Sequence, residues 1–283
     1  MDNPTESMDH NLSMEHNLSN QTVADEDVLP DVTYVQSRIA NVVFIGPPHA
    51  GDGEWVMIDA GMAGTEQQLL RRIEERFERS RPGCIILTHG HFDHVGTLIP
   101  LAHRFDVPVY AHPLELPYLT GRKDYRPPDP TVGGGMVSYL SVFFPRRGLD
   151  LGDAVRALPP NGEVPHLPEW RWIHTPGHTE GHISLFRERD RALVAGDAFT
   201  TVKQESLYAV LSQKREIHGP PAYFTTDWQQ AKASVRTLQA LKPAWAVTGH
   251  GRPMFGTELD ESLERLAADF DWMAKPDAGK YVH

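Results

Sequence analysis

A dense run of metal-binding residue types constrains this chain more than any other feature. The sequence Thr-His-Gly-His-Phe-Asp-His, which ends at His94, contains three histidines and one aspartate. An extended segment would direct His89 and His91 to one side, where both reach one metal, while Asp93 and His94 follow at a turn and face a second metal. Residues 84–88, which are apolar and β-rich, predict a buried strand before the run. The cluster should therefore lie on a loop at the C-terminal end of that strand.

Three later segments each place a single ligand type, next to glycine, directly after an apolar run. They contain His178, Asp197 and His250. A histidine-rich surface turn that binds nothing would explain one histidine pair, but it does not explain four such segments. The pattern therefore favours a metal site built from all four segments.

These residues resemble the motif pattern of the metallo-β-lactamase superfamily, in the same chain order and over residues 35–255. The resemblance implies two divalent metal ions held by seven side chains. The first metal would be bound by His89, His91 and His178, the second by Asp93, His94 and His250, and Asp197 would bridge both. Asp59 matches an aspartate that braces the ligands in this superfamily, and it would fix the tautomer of a ligand imidazole.

This set of ligands has a definite chemistry. Three neutral imidazoles leave an open position on a metal, and a second metal about 3.5 to 4 Å away lets one hydroxide bridge both. Metal binding lowers the pKa of water from about 15.7 towards 7, which produces a nucleophile at neutral pH. Asp93 is the candidate catalytic residue, because its second oxygen could orient the nucleophile and pass a proton to the leaving group. Zinc is the expected metal, and the same ligands would accept iron or manganese.

Length and patterning predict one α/β domain over residues 28–283, with two β-rich halves that are each covered by helices. This gives a four-layer αββα sandwich, which is also the fold that the resemblance implies, with the metals at one edge between the halves. Residues 1–27 are polar and carry an imperfect repeat without periodicity, so a disordered N-terminal arm is expected there.

Charge and composition restrict the classes of binding partner that this chain can be expected to have. The net charge of −11, from 27 basic against 38 acidic residues, argues against nucleic-acid binding because no basic stripe stands out. No apolar run approaches the ~20 residues that span a bilayer, and no signal-peptide core is present. The single Cys84 lies in an apolar strand, where a core role is expected. We therefore expect a cytoplasmic protein with a small-molecule substrate and no membrane partner. The sequence leaves the oligomeric state open, with a homodimer among the options.

Two segments are candidates for the walls of a substrate pocket. Residues 113–151 are rich in proline, glycine and aromatic residues, and they form either a plain surface excursion or a pocket wall or lid. Residues 202–224 offer Tyr208 and Tyr223. Apolar and aromatic walls would suit an uncharged or amphiphilic ester, lactone or thioester.

Known branches of the superfamily match only in part. Acyl-homoserine lactonases share the ligand set and often place a tyrosine three residues after the bridging aspartate, where this chain has Thr200. A lactonase-like activity would then need Tyr208 or Tyr223 as the donor. Glyoxalase II enzymes share the pattern of residues 175–182, but their basic C-terminal residues are not evident after His250.

The sequence thus predicts a binuclear metal-dependent hydrolase that cleaves a carboxylic ester, lactone or thioester by attack of a metal-bridging hydroxide. One alternative is a persulfide dioxygenase with a single iron held by His89, His178 and Asp197. Another is a metal-binding protein without catalytic activity, which would keep the fold and show no turnover.

Overall fold

The computed structural model describes residues 27–283. The arm predicted over residues 1–27 lies outside the described part, except for Asp27, which begins the first strand. Two β-sheets pack face to face, and helices cover the outer face of each sheet. The predicted αββα sandwich is confirmed.

The larger sheet comes from the first half of the chain. Within residues 27–283, its seven strands lie side by side in chain order. They are β1 (Asp27–Leu29), β2 (Val32–Ser37), β3 (Ala40–Ile45), β4 (Val56–Ile58), β5 (Ile85–Ile86), β6 (Val109–Ala111) and β7 (Val155–Ala157). The pairings are antiparallel from β1 to β4 and parallel from β4 to β7.

The smaller sheet comes from the second half. In the described part of the chain it has five strands, in the order β12-β11-β10-β9-β8. They are β8 (Trp170–His174), β9 (Ile183–Arg187), β10 (Ala192–Gly196), β11 (Trp245–Thr248) and β12 (Met254–Phe255). Only β10 and β11 pair in parallel here, so their C-terminal ends meet at the same edge.

Eight α-helices lie within the described residues. They are α1 (Glu66–Phe77), α2 (Leu98–Phe105), α3 (Leu116–Leu119), α4 (Met136–Leu140), α5 (Leu207–Ser212), α6 (Trp228–Ala240), α7 (Gly256–Ala268) and α8 (Phe270–Met273). Short 3₁₀ helices cover Ser141–Phe143, Gly152–Ala154 and Ala222–Phe224. None of the described helices combines the length and the apolar character that crossing a membrane requires.

Alternation along the strands sorts the apolar side chains into separate layers. Val43 and Ile45 of β3 point to the space between the sheets, where they join Val194 of β10. Val42 and Phe44 point the other way, into a cluster with the buried residues of α1 and α2. This period of two is what a strand buried on both faces requires. The outer face of the smaller sheet packs in the same way against α6 and α7.

The strand predicted over residues 84–88 is shorter than expected. Strand β5 ends at Ile86, and the backbone N–H of Thr88 donates to Asp59 Oδ1 at 2.7 Å instead of pairing with a neighbouring strand. A side chain on the loop after β4 thus replaces the sheet partner. The chain turns two residues early, and this turn directs the histidine run to the edge of the sheet.

Candidate metal centre

The loops that carry the predicted ligands converge at one edge of the sandwich. The histidine run follows β5, and Asp59 follows the parallel neighbour β4. On the other sheet, Asp197 and His250 follow the parallel strands β10 and β11, and His178 lies between β8 and β9. Carboxyl ends of parallel strands meet at the same edge, which is where α/β proteins place ligands.

All seven predicted ligands come together there, and each is at most 5% exposed. Their donor atoms form three groups, each with its atoms within 4.8 Å of one another. The groups are His89, His91 and His178; His89, His94 and Asp197; and Asp93, His94 and His250. The first and the last are the two sets that the sequence resemblance implies.

Asp197 lies between the two sets. Its Oδ1 is 3.6 Å from His94 Nε2, and its Oδ2 is 3.5 Å from His178 Nε2 and 3.1 Å from His250 Nε2. A β-carbon at residue 249 would lie 1.9 Å from Asp197 Oδ1. Only glycine at residue 249 leaves room for the carboxylate in this position.

Hydrogen bonds from outside the cluster fix the orientation of the imidazoles. His94 Nδ1 lies 2.8 Å from Asp59 Oδ2, and His250 Nδ1 lies 2.7 Å from the carbonyl oxygen of Ile39. Carboxylate and carbonyl oxygens only accept, so the neutral form of each ring carries its proton on Nδ1. The Nε2 lone pairs therefore point into the cluster, as metal ligation requires.

Several inward-facing atoms have no partner within the protein. In the described part of the chain, the buried His89 Nε2, His94 Nε2 and Asp197 Oδ1 make no hydrogen bond. Leaving a buried polar atom unsatisfied costs about 1–3 kcal/mol, and here three such atoms face one point. Imidazole nitrogens and a carboxylate oxygen are ligands for divalent transition metals. The residues present therefore fit metal ions.

Electrostatics keep four of these groups in the form that binds metals. Burial lowers the pKa of His89 and of His91 well below its ordinary value, and it lowers the pKa of His178 to about 4. Burial alone would raise the pKa of Asp197, but the adjacent His250 and His94 hold it well below its usual range. At neutral pH the three histidines are neutral and the aspartate is ionised. The pKa values of His94 and His250 are raised instead, because the adjacent Asp197 carboxylate outweighs the effect of burial, so a metal must displace a proton from each ring.

Glu115 belongs to the site, although no sequence pattern indicated it. It is fully buried at the start of α3 and accepts four hydrogen bonds. Two come from the histidine loop side, from the N–H of Gly90 at 3.1 Å and the hydroxyl of Tyr125. Two come from the His178 loop, from Thr179 Oγ1 at 2.7 Å and the N–H of Gly181 at 3.0 Å. One carboxylate thus ties together two ligand loops.

His182 supports Asp197 from behind. Its Nε2 accepts from the backbone N–H of Asp197 at 2.8 Å, and its Nδ1 lies 2.9 Å from Thr175 Oγ1. The ring is fully buried, and it bonds to the backbone of Asp197 instead of pointing into the ligand cluster. The glycine-histidine pair at residues 181–182 was the available sequence signal.

The two tyrosines predicted as pocket residues lie in different places. Tyr208 is 78% exposed on α5, whose buried member is Val210, so Tyr208 does not line the cavity next to the metal centre. Tyr223 is buried. Burial is the main reason that its pKa lies well above the usual range, and the nearby charge of Asp93 adds to this effect. Thr200 is also buried, and its hydroxyl donates to the carbonyl oxygen of Val202.

A narrow cavity reaches the ligands from outside. It borders His91 and His178, and the excursion over residues 113–151 contributes several of its walls. The wall residues outside the ligand set are Tyr118, Tyr125, Arg126, Thr179, Glu180, Phe224 and Thr226. The ring of Phe224 stacks on His91 at a centroid distance of 4.5 Å. Phe224 therefore forms part of the wall, and it lies in the segment 202–224 that the sequence predicts as a candidate pocket wall.

The sequence family of the chain follows from the same region. The model of the metallo-beta-lactamase superfamily matches residues 36–250. The chain belongs to this superfamily. The match ends on His250 and so spans all seven clustered ligands.

Individual relatives agree with this membership. The probable metallo-hydrolase YflN of Bacillus subtilis (strain 168) is 49% identical over 234 residues, which are 81% of this chain and 87% of the relative. The crystal structure of TTHA1623 in a di-iron-bound form is 25% identical, with a TM-score of 0.53 over 81% of this chain and 96% of that one. A B3 metallo-beta-lactamase with an active-site glutamic acid is 19% identical, with a TM-score of 0.60 over 89% and 90% of the two chains, and supports the fold alone.

Proposed function

We propose that this protein is a binuclear metal-dependent hydrolase that cleaves a carboxylic ester, lactone or thioester of small-molecule size. The main support is the convergence of seven buried side chains that can bind metals. Three of their ligand atoms have no hydrogen-bond partner within the described residues. The similarity to a probable metallo-hydrolase over most of both chains supports it.

Each of the clustered residues has a proposed role in metal binding or proton transfer. His89, His91 and His178 would hold one ion, Asp93, His94 and His250 the other, and Asp197 would lie between them. Two bound divalent ions would supply a hydroxide at neutral pH and a Lewis acid for the carbonyl oxygen. Asp93, whose Oδ2 is 3.5 Å from His250 Nε2, would carry a proton from the nucleophile to the leaving oxygen or sulfur.

The identity of the metal is part of the proposal. Zinc suits a set of imidazole and carboxylate ligands, and iron and manganese accept the same set. TTHA1623 has been described with two irons. We therefore retain zinc as the first expectation and treat iron as its nearest competitor.

The deciding experiment measures metal content by element on freshly purified protein and, on the same preparation, initial rates with a lactone, a thioester and a β-lactam. We expect about two metal ions per chain and hydrolysis of at least one acyl substrate. One iron per chain, with oxygen consumption on a persulfide and no hydrolysis, would replace the proposal by the dioxygenase. Two bound ions without turnover on any acyl compound would favour a metal-binding protein.

The only cysteine should be dispensable for this chemistry. Cys84 is buried in the sheet, and burial raises the pKa of its thiol to about 12, so a thiolate nucleophile is not available. We expect Cys84→Ser to lower the free energy of unfolding by about 1–2 kcal/mol, because a hydroxyl is buried in an apolar layer, and to keep kcat within a factor of about two. Urea unfolding and steady-state rates test this. Loss of turnover in a folded Cys84→Ser protein would contradict the proposed nucleophile.

A further inference from the structure

Three neighbouring cavities share residues on their walls. The narrow cavity that borders His91 and His178 has Arg126 and Thr226 on its wall. Both residues also line a second cavity of about 160 Å³ and a third of about 940 Å³. The narrow cavity at the metal centre and the large groove therefore lie side by side, and Arg126 borders both.

The large groove is basic, in contrast to the chain as a whole, whose net charge is −11. Its walls are formed by α6, the segment after α8 and Arg126. The cations on these walls are Arg126, Lys232, Arg236 and Lys275, and the acidic side chains are Asp227 and Asp271. The sequence predicts apolar walls and gives no sign of this positive charge, because the charged residues are distant from one another in the chain.

Both acidic side chains of the groove are already engaged. Asp271 pairs with Lys232, and Asp227 caps α6 by accepting from the N–H of Gln230 at 2.9 Å. Within residues 27–283, by contrast, no carboxylate lies within ion-pair distance of Arg126 or Arg236. Four cationic against two acidic side chains leave the groove a net positive charge that a ligand could neutralise.

The position of Arg126 is supported by the C-terminal segment. Its guanidinium lies 5.9 Å from the centroid of the Tyr281 ring. The hydroxyl of Tyr281 donates to the carbonyl oxygen of Pro127 at 2.7 Å, and the N–H of Lys280 donates to the buried Asp129 at 2.5 Å. An arginine held against a ring keeps its planar donors available for a carboxylate or phosphate.

We propose that this groove binds the anionic part of the substrate, a carboxylate or phosphate on the leaving alcohol or thiol, with Arg126 as its first contact outside the metal centre. The inference rests on the proposed hydrolase function. Hydrolysis would break the bond between the acyl carbon and the leaving sulfur or oxygen, place the hydroxyl of water on the carbon, and place its proton on the leaving atom. The negative charge of the leaving group is unchanged, so the groove holds it before and after cleavage.

The test compares acetyl thioesters that differ only in charge. The anionic substrates are those of 3-mercaptopropionate and 2-mercaptoethyl phosphate, and the neutral one is that of 3-mercaptopropanamide. We expect kcat/KM to be about tenfold higher for the anionic substrates. Arg126→Gln should remove most of this preference, because kcat/KM should fall much more for the two anionic thioesters than for the neutral one. Preference for only one anion would identify that group as the natural one. Arg104→Gln is the matched control, because Arg104 is exposed on α2 and lines none of these three cavities.

A binding measurement separates this inference from the hydrolase proposal. The ketone analogue of the 3-mercaptopropionate thioester, with a methylene in place of sulfur, cannot be hydrolysed. Calorimetry at low and high salt should show binding to the wild type that weakens with salt, and weaker binding to Arg126→Gln. If all thioesters are cleaved at equal rates and the analogue binds both proteins equally, the groove assignment is overturned and the hydrolase stands. If the analogue binds as expected and no acyl compound is cleaved, the hydrolase falls and the anion site stands.

Discussion

Asp197→Ala is expected to release metal and abolish turnover together. The Asp197 carboxylate is the group that approaches His94, His178 and His250 at once, so its removal affects both ligand sets. Changing a mere partner of a metal ligand typically costs about 10- to 100-fold in metal affinity or activity, and loss of a shared ligand should exceed this. His91→Ala should have the same effect through the first set alone. Metal content by element and kcat/KM on the best acyl substrate are the measurements.

The control for this experiment is Asp260→Ala. Asp260 is exposed on α7, away from the cluster, so the same change of charge should leave metal content and rate at wild-type values. Circular dichroism verifies that each variant is folded. An Asp197→Ala protein that is folded, free of bound metal and fully active would refute the metal-dependent mechanism.

Glu115→Ala is expected to cost about 3–5 kcal/mol in the free energy of unfolding, because it leaves several buried donors without an acceptor. The fully buried carboxylate joins Gly90 of the histidine loop to Thr179 and Gly181 of the His178 loop. The two loops carry ligands of the same set, His89, His91 and His178. Their relative position should therefore loosen, and metal affinity should fall along with stability.

A graded series distinguishes positioning from general loss of structure. Tyr125→Phe removes a single donor to Glu115 and keeps the ring that lies 4.6 Å from His91, so we expect a loss of about 1 kcal/mol. Glu115→Gln keeps the size of the side chain but not its four acceptor sites, and should fall between the two. Urea unfolding and chelator competition report stability and metal affinity separately. If stability falls in Glu115→Gln and metal affinity does not, Glu115 supports the fold alone.

The metal ligands could be predicted from the sequence because they stand in patterns of a few neighbouring residues. Residues 89–94 carry four ligands in one run, and each later ligand follows an apolar strand and borders a glycine. Such patterns predict which loops gather at the edge of a sheet. The αββα fold could be predicted for the same reason, since the alternating strands of each half require a covered face on both sides.

The rest depends on contacts that no local pattern encodes. Glu115 is one glutamate in an irregular excursion, and it contacts Gly181, 66 residues later. The basic groove combines Arg126 with side chains of α6 and of the segment that follows α8. The exposure of Tyr208 could not be predicted either, because the orientation of a short helix decides which of its side chains are buried, and α5 buries Val210.

Each sheet is built from one half of the chain, and this division has a consequence for how metal supply affects the protein. The first half contributes four of the clustered ligands, and the second half contributes His178, Asp197 and His250. Ions held by both halves would act as a crosslink whose strength follows the free metal concentration, since a ligand that binds only the folded state stabilises that state by mass action. Metal starvation should therefore lower the cellular abundance of the protein, through unfolding and degradation, in addition to its specific activity.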